Sequence, residues 1–160
     1  MMAEQGPLLI GIGNAYRGDD RAGLWIVEQI REKKIPGIRV EESTGEITEL
    51  MELWQDHDTV VAVDALSSGG RPGAIRRFEV HQRPLPAETF QYSTHGLSLS
   101  EAVELARAMG KLPRRFIVYA IEGKDFAAGE EISPPVKKGC RKLMDQIIQE
   151  LANYKEEAHA

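Results

Sequence analysis

Short apolar or alternating segments alternate along this chain with longer segments of helical period. Four segments predict strands of an internal sheet: Leu8–Ile10, Ile38–Glu42, Thr59–Asp64 and Arg115–Ile121. The third and fourth are almost continuously apolar, which is typical of parallel strands buried on both faces. Ile75–Val80 alternates imperfectly with arginines and a glutamate, as expected of an edge strand.

The segments between these strands have the periodicity and end signals of helices. The first begins near Asp19 and Asp20, and a short second helix covers Glu46–Trp54. The third helix is predicted from the capping-box spacing of Ser98 and Glu101 and from a stop at Gly110. The fourth is predicted to begin at Pro134, with Ser133 as its cap. His81–Phe90 is expected to be an extended connection. Strands alternating with helices predict an α/β fold, a mostly parallel sheet covered by helices on both faces.

Composition narrows the class of protein. A chain of 160 residues, 42% apolar and 28% charged, is expected to form one globular domain over residues 1–160. A net charge of -5 argues against binding nucleic acid. The single cysteine, Cys140, excludes an internal disulfide framework and a cysteine-based zinc site. Without a signal peptide or an apolar segment long enough to span a bilayer, we expect a cytoplasmic protein with no membrane partner.

Three chemistry-bearing residues fall at the edge of the sheet where such folds bind ligands, beyond the carboxyl ends of the strands. Asp20 follows the first strand, Asp64 ends the third, and His95 precedes a helix at an equivalent junction. Each residue alone has an ordinary structural interpretation: Asp20 could stabilise the helix end, Asp64 could bond loop amides, and His95 could be a polar residue that flanks a helix. Together, two carboxylates and one imidazole suit nickel or zinc and leave positions for water or substrate. The neighbouring Asp19 is interpreted as the cap of the first helix.

A nucleotide site is the first competing interpretation. Gly11 and Gly13 match the start of a dinucleotide-binding fingerprint, but Tyr16 occupies the position of its third glycine. The turn has no lysine, and its acidic pair would repel a phosphate. The sequence therefore argues against nucleotide binding. Tyr16 and the adjacent Arg17 could contact a substrate or shield the turn, and the sequence leaves both open.

A Ser–His–Asp hydrolase is the second competing interpretation. Ser93 or Ser98 could join His95 and Asp64, but no Gly-x-Ser-x-Gly elbow is present. Cys140 falls on the apolar stripe of the last helix and is expected in the core. The remaining histidines are expected at the surface, and the tryptophans in packing roles: His57, His81 and His159; Trp25 and Trp54.

Six segments, in order and spacing, resemble the [NiFe]-hydrogenase maturation endopeptidases. They are Gly11–Asn14, Asp19–Asp20, Gly23, Val61–Ala65, Ser93–His95 and Ile132–Pro134. The resemblance spans nearly the whole chain. Arg21 departs from the family's pattern, in which a small residue usually follows the acidic pair. The departure affects the shape or charge of the pocket edge and leaves the three candidate ligands unchanged.

The resemblance implies a fold and an activity. The fold is a single-domain three-layer sandwich with a twisted, mostly parallel sheet of about five strands. The activity is an endopeptidase that removes the C-terminal extension of a hydrogenase large-subunit precursor after nickel insertion. Asp20, Asp64 and His95 match the family's metal-contacting positions and are the candidate catalytic residues.

The nickel is expected to arrive on the precursor, whose cysteine thiolates already hold it, because the three ligands alone would bind it weakly. Zinc or another divalent ion would also suit these ligands. The alternative is a non-catalytic, nickel-dependent checkpoint chaperone for the same precursor, which would use the same residues. A monomer is expected, since no apolar stripe demands a partner.

Overall fold

The computed structural model describes residues 6–90, 96–129 and 131–159. They form five strands, a short 3-10 helix and five α-helices. In chain order these are β1 (Leu8–Ile12), the 3-10 helix (Gly18–Arg21), α1 (Ala22–Glu32), β2 (Arg39–Ser43), α2 (Ile47–Trp54), β3 (Thr59–Leu66), β4 (Ile75–Glu79), α3 (Ala87–Phe90), α4 (Gly96–Ala108), β5 (Arg115–Glu122) and α5 (Pro134–His159).

The strands form one sheet in the order β2-β1-β3-β5-β4. The first four strands in this order run parallel to one another, and β4 runs antiparallel to β5 at the edge. Because the parallel strands share a direction, the residues that follow β1, β3 and β5 meet at one edge of the sheet. The predicted α/β fold and the predicted edge strand are both confirmed.

Side chains that alternate along the strands build a core on each face of the sheet. The core on the face of α2, α3 and α4 includes Leu8 and Ile10 of β1 with Val60, Ala62 and Leu66 of β3. On the opposite face, other strand residues pack against α1 and α5: Leu9, Val61, Val63, Ala65 and Tyr119. The helices thus cover both faces, as the sequence predicted.

The region around α4 differs from the prediction in two places. Helix α4 begins at Gly96, so Ser98 lies inside its first turn, and the predicted capping box with Ser98 as cap is wrong. The helix ends at Ala108, and Met109, directly beyond it, is 50% exposed. Gly110 follows with a φ of 69°, and this left-handed backbone, which glycine adopts readily, ends the helix. The connection before α4, predicted to be extended, contains α3.

The predicted surface positions of two histidines are wrong. His57 is 6% exposed, and its Nδ1 lies 2.9 Å from the carbonyl oxygen of Gly6. His81 is partly buried, and its Nδ1 accepts the N–H of Phe116 at 3.1 Å. Both rings therefore satisfy backbone groups at the end of the sheet away from the candidate site. The side chain of His159 lies outside the described part of the chain.

Trp54 is buried and packs edge-on against Phe116, with ring centroids 4.8 Å apart, while Trp25 is partly buried beneath the Lys137 ammonium. The predicted packing roles of both tryptophans are confirmed. Within the described residues, no helix is both long and apolar enough to cross a membrane.

Candidate active site

The two predicted site carboxylates are both fully buried at the carboxyl edge of the sheet. Asp20 belongs to the 3-10 helix that follows β1, and Asp64 is the sixth residue of β3. Oδ1 of Asp64 accepts the N–H of Ala65 at 2.8 Å, which fixes its carboxylate against the end of its own strand. The 3-10 helix packs against β3, so the structure brings Asp20 and Asp64 to the same region.

Gly23 explains how closely the two segments approach. A Cβ atom at this first turn of α1 would lie 2.6 Å from the carbonyl oxygens of both Ile12 and Val63. Only glycine permits that contact. Since Gly23 comes three residues after Asp20, and Val63 directly precedes Asp64, a backbone contact between α1 and the sheet sets where the two aspartates lie.

The third predicted ligand, His95, lies outside the described residues. Helix α4, which begins directly after it at Gly96, packs on the sheet face that Asp64 shares by alternation with Val60 and Ala62. Among residues 6–90, 96–129 and 131–159, no three histidine, cysteine, aspartate or glutamate side chains are grouped so as to hold a metal ion. Because the predicted set includes His95, that observation does not test it, and the set stays a prediction.

The turn that leads to Asp20 closes on itself through four hydrogen bonds. Oδ1 of Asn14 accepts the N–H of Tyr16 at 2.9 Å, and its carbonyl accepts the N–H of Arg17 at 3.3 Å. The N–H of Asn14 donates to the carbonyl of Asp20 at 3.2 Å, and the N–H of Asp20 donates to the carbonyl of Arg17 at 2.9 Å. An asparagine side chain that bonds the backbone two residues on is a local turn signal. It gives residues 14–20, the acidic turn, a defined backbone.

Asp19 does not cap its own helix, so that prediction is wrong. Its buried carboxylate accepts the backbone N–H groups of Lys124, Asp125 and Ser133 at 2.7–2.8 Å, and the hydroxyl of Ser133 at 2.7 Å. Hydrogen bonds to a charged acceptor are among the stronger ones in proteins. Asp19 therefore fastens the acidic turn to the loop of residues 123–133, here called the β5–α5 loop, rather than to α1.

Backbone contacts complete the attachment between the acidic turn and the β5–α5 loop. The N–H of Asp19 donates to the carbonyl of Asp125 at 2.8 Å, and the N–H of Gly129 donates to the carbonyl of Tyr16 at 3.0 Å. Gly18 adopts a φ of 51°, and a Cβ atom there would lie 2.4 Å from the Asp125 carbonyl oxygen. The two segments are therefore one structural unit at the rim of the candidate site.

The loop after β3 is attached to the same rim through Glu122. This carboxylate, at the end of β5, is 4% exposed and accepts the N–H and the hydroxyl of Ser68 at 2.7 and 2.6 Å. A Cβ atom at Gly70 would lie 3.0 Å from Oε1 of Glu122, so the loop passes close over it. Glu122 thus has a role in holding the loop.

Cys140 lies in the core on α5, as predicted. Burial raises the pKa of its thiol to about 12, so the thiolate that nucleophilic catalysis requires is scarce at neutral pH. The burial of Cys140 and its raised pKa argue against a role as a protease nucleophile.

Known proteins resemble this chain over most of its length. The model of the HycI family, described as hydrogenase maturation protease, matches residues 28–150, a stretch that includes Asp64 and His95 and begins after Asp20. The hydrogenase 2 maturation protease of Escherichia coli strain K12 is 25% identical over 148 residues, which cover 90% of this chain and 89% of that protein.

Solved structures share the fold. The hydrogenase maturating endopeptidase HybD from E. coli superimposes with a TM-score of 0.78 at 19% identity, over 93% of both chains. The [NiFe] hydrogenase maturation protease HybD from Thermococcus kodakarensis gives a TM-score of 0.71 at 27% identity, over 92% of this chain and 99% of that one. The architecture that the sequence resemblance implied is confirmed.

Proposed function

Since the chain belongs to the hydrogenase maturation protease family, it is a peptidase, and we propose that it removes the C-terminal extension of a [NiFe]-hydrogenase large-subunit precursor after nickel insertion. The observation that carries this proposal is the burial of Asp20 and Asp64 at one edge of the sheet. The Gly23 backbone contact that sets their approach supports it.

The donor chemistry of the rim supports a metal-bearing substrate. Carboxylate oxygens from Asp20 and Asp64, with the imidazole of His95, form a set that accepts nickel, zinc or another divalent ion. Three ligands leave further positions for groups that come with the precursor. In the proposal, nickel is part of the substrate, held by cysteine thiolates of the precursor, and this chain recognises it. Cleavage then depends on metal loading of the precursor.

The proposed hydrolysis uses the carboxylates as proton carriers. Either Asp20 or Asp64 accepts a proton from the attacking water as its oxygen bonds to the scissile carbonyl carbon. The same carboxylic acid then gives the proton to the leaving amine as the C–N bond breaks. A metal ion bound at the rim would polarise the scissile carbonyl or lower the pKa of a bound water.

Single substitutions test this proposal. Asp20→Asn, Asp64→Asn and His95→Ala are each expected to reduce processing of a nickel-loaded precursor by roughly 100-fold or more. Shortening of the precursor is measured by mass spectrometry. Asp58→Asn is the matched control, because Asp58 is an exposed carboxylate that precedes β3 at the opposite end of the sheet. Its rate is expected to stay within about twofold of the unmodified protein, as for most surface substitutions.

Three further outcomes test the proposal and separate it from its alternative. A nickel-free precursor should remain uncut under conditions in which the loaded precursor is shortened. Full activity in all three site variants would contradict the assigned roles. A stable complex with an intact, nickel-loaded precursor would instead indicate a checkpoint chaperone.

A further inference from the structure

The acidic turn carries the most exposed large apolar side chain in the described part of the protein. Tyr16 is 81% exposed, compared with 50% for Met109 and 47% for Leu105. Scattered exposed apolar residues are normal, so exposure alone carries no functional meaning. What distinguishes Tyr16 is its place at the rim of the candidate active site, four residues before Asp20.

The backbone beneath Tyr16 is fixed rather than loose. Its N–H is held by Asn14, and its carbonyl accepts the N–H of Gly129 in the β5–α5 loop. The next residues are anchored by Asp19, whose carboxylate accepts four hydrogen bonds. A backbone held in this way need not be ordered on binding, which lowers the entropic cost of using Tyr16 as an anchor for a partner.

An exposed cation follows Tyr16 in the sequence. Arg17 is exposed, and its guanidinium forms no ion pair with the described residues. The adjacent carboxylate, Asp19, is buried and already occupied by the β5–α5 loop. With no such partner among the described residues, the Arg17 guanidinium can bind a carboxylate of another molecule through two parallel hydrogen bonds.

We propose that Tyr16 and Arg17 form the docking contact for an acidic segment of the precursor next to the scissile bond. The Tyr16 ring packs on an apolar side chain of that segment, and Arg17 pairs with an aspartate or glutamate side chain. Tyrosine and arginine are the residue types most often found as strong contributors to protein interfaces. The inference rests on the proposed function and adds the residues that select its substrate.

The first test separates substrate binding from chemistry. Tyr16→Ala is expected to raise KM for the nickel-loaded precursor about 10- to 30-fold and to leave kcat within about twofold, because it removes binding that is equal in ground and transition states. Met109→Ala is the matched control, an exposed apolar side chain just beyond α4. Its KM is expected to be unchanged. Unfolding midpoints of both variants in urea should equal that of the unmodified protein.

The second test addresses the charge. Arg17→Gln is expected to raise KM. In the unmodified protein sodium chloride should raise KM, because salt screens the ion pair, and this increase should be smaller in the variant, which lacks the pair. Arg114→Gln, an exposed arginine at the opposite end of the sheet before β5, should leave both quantities unchanged.

A third measurement locates the partner directly. With p-benzoylphenylalanine in place of Tyr16, irradiation should cross-link the protein to the precursor near its cleavage site, at a peptide that contains acidic residues. The same photoreactive residue in place of Met109 should give no cross-link. Mass spectrometry of the digested product identifies the attached peptide.

The outcomes distinguish this inference from the proposed function. One outcome is that the unmodified protein shortens the precursor while Tyr16→Ala and Arg17→Gln show the same KM as the unmodified protein. In that case the docking role is overturned and the protease function stands. A loss confined to kcat would also overturn it. If the unmodified protein leaves every candidate precursor intact, the proposed function fails, and the docking role with it.

Discussion

Helix α5 is held at its start by a buried carboxylate and farther along by a partly buried one, and the two attachments use different partners. At its start, Asp19 accepts the N–H and the hydroxyl of Ser133 together with two amides of the β5–α5 loop. Sixteen residues into the helix, Glu150 accepts the guanidinium of Arg77 through two bonds of 2.8–2.9 Å, and the hydroxyls of Tyr119 and Tyr154.

The Glu150 cluster compensates its charge with side chains. Burial raises the pKa of Glu150, but the hydrogen bonds from Arg77, Tyr119 and Tyr154 outweigh that effect and lower it to about 2. Burial, then the hydrogen bond to Glu150, raises the pKa of each tyrosine. These residues join α5 to the middle of β4 and β5, away from the carboxyl edge of the sheet.

The comparison separates two uses of the same chemical group. Glu150 fastens a helix to the sheet, and no residue of its cluster lies in the acidic turn. Asp19 fastens the same helix to the turn that carries Asp20, so its bonds support both the fold and the candidate active site. We therefore expect loss of Asp19 to affect stability and activity together, and loss of Glu150 to affect stability alone.

The largest effect is expected for Asp19→Ala. It leaves three backbone amides and a hydroxyl without their charged acceptor at a buried carboxylate position, and should lower the free energy of unfolding by about 4 kcal/mol. Precursor processing should fall at least about tenfold, because the acidic turn separates from the β5–α5 loop. Urea unfolding and mass spectrometry measure the two effects.

The control for Asp19 is Asp125→Ala, an exposed carboxylate of the same loop whose one described bond is to the N–H of Ala127 at 2.9 Å. It should change both quantities little. Should Asp19→Ala prove too unstable to assay, Asp19→Asn, which keeps one acceptor oxygen, should show the same joint loss to a smaller degree. Normal processing by a destabilised Asp19 variant would contradict its role in the site.

An intermediate effect is expected for Glu150→Gln. Weakening the charged hydrogen bonds to Arg77 should lower the free energy of unfolding by about 2 kcal/mol. The processing rate of the folded variant should stay within about twofold, since the cluster has no contact with the acidic turn. A parallel loss of activity would show that the two attachments are coupled through α5.

The pH dependence of stability sharpens the same point. Glu150 has a folded pKa of about 2 against an ordinary value of 4.5. Because folding lowers the pKa of Glu150, its ionised carboxylate stabilises the fold at pH values above its pKa in the unfolded chain. That contribution is lost as the pH falls from about 4.5 toward 2. The stability difference between the unmodified protein and Glu150→Gln should therefore narrow over this range. Urea midpoints at successive pH values measure it, and a constant difference would contradict the assignment.

The smallest effects are expected for single hydroxyl deletions. Ser133→Ala and Tyr154→Phe each remove one hydrogen bond to a carboxylate and should each cost about 1 kcal/mol of stability. Only Ser133→Ala should also reduce processing, by a few-fold, because its partner Asp19 belongs to the acidic turn. Equal activity in the two variants would remove the distinction between the attachments.

The sheet could be predicted from the sequence because its information is local. Continuous apolar segments such as Thr59–Asp64 identify buried parallel strands, and the arginine-rich Ile75–Val80 identifies the edge. The rule that ligands bind beyond the carboxyl ends of strands then placed Asp20 and Asp64 on one rim without knowledge of the structure.

The wrong predictions concern residues whose contacts are with partners far away in the sequence, so that no local pattern reveals them. The partners of Asp19 are mostly backbone amides more than 100 residues away, and an amide of Lys124 has no side-chain signature. His57 is buried, and its ring bonds the carbonyl of Gly6, a partner 51 residues away in sequence. The exposure of Tyr16 likewise depends on a turn held from a distant loop.

The close approach of α1 to β1 and β3 at Gly23 has an evolutionary consequence. The separation between helix and sheet at that point is fixed by main-chain atoms, with no side chain between them. Substitution of apolar residues farther along the helix can therefore leave Asp19 and Asp20 in place. Substitution of Gly23 would instead move these two residues away from the strand ends. Low overall identity and a shared fold are compatible for that reason.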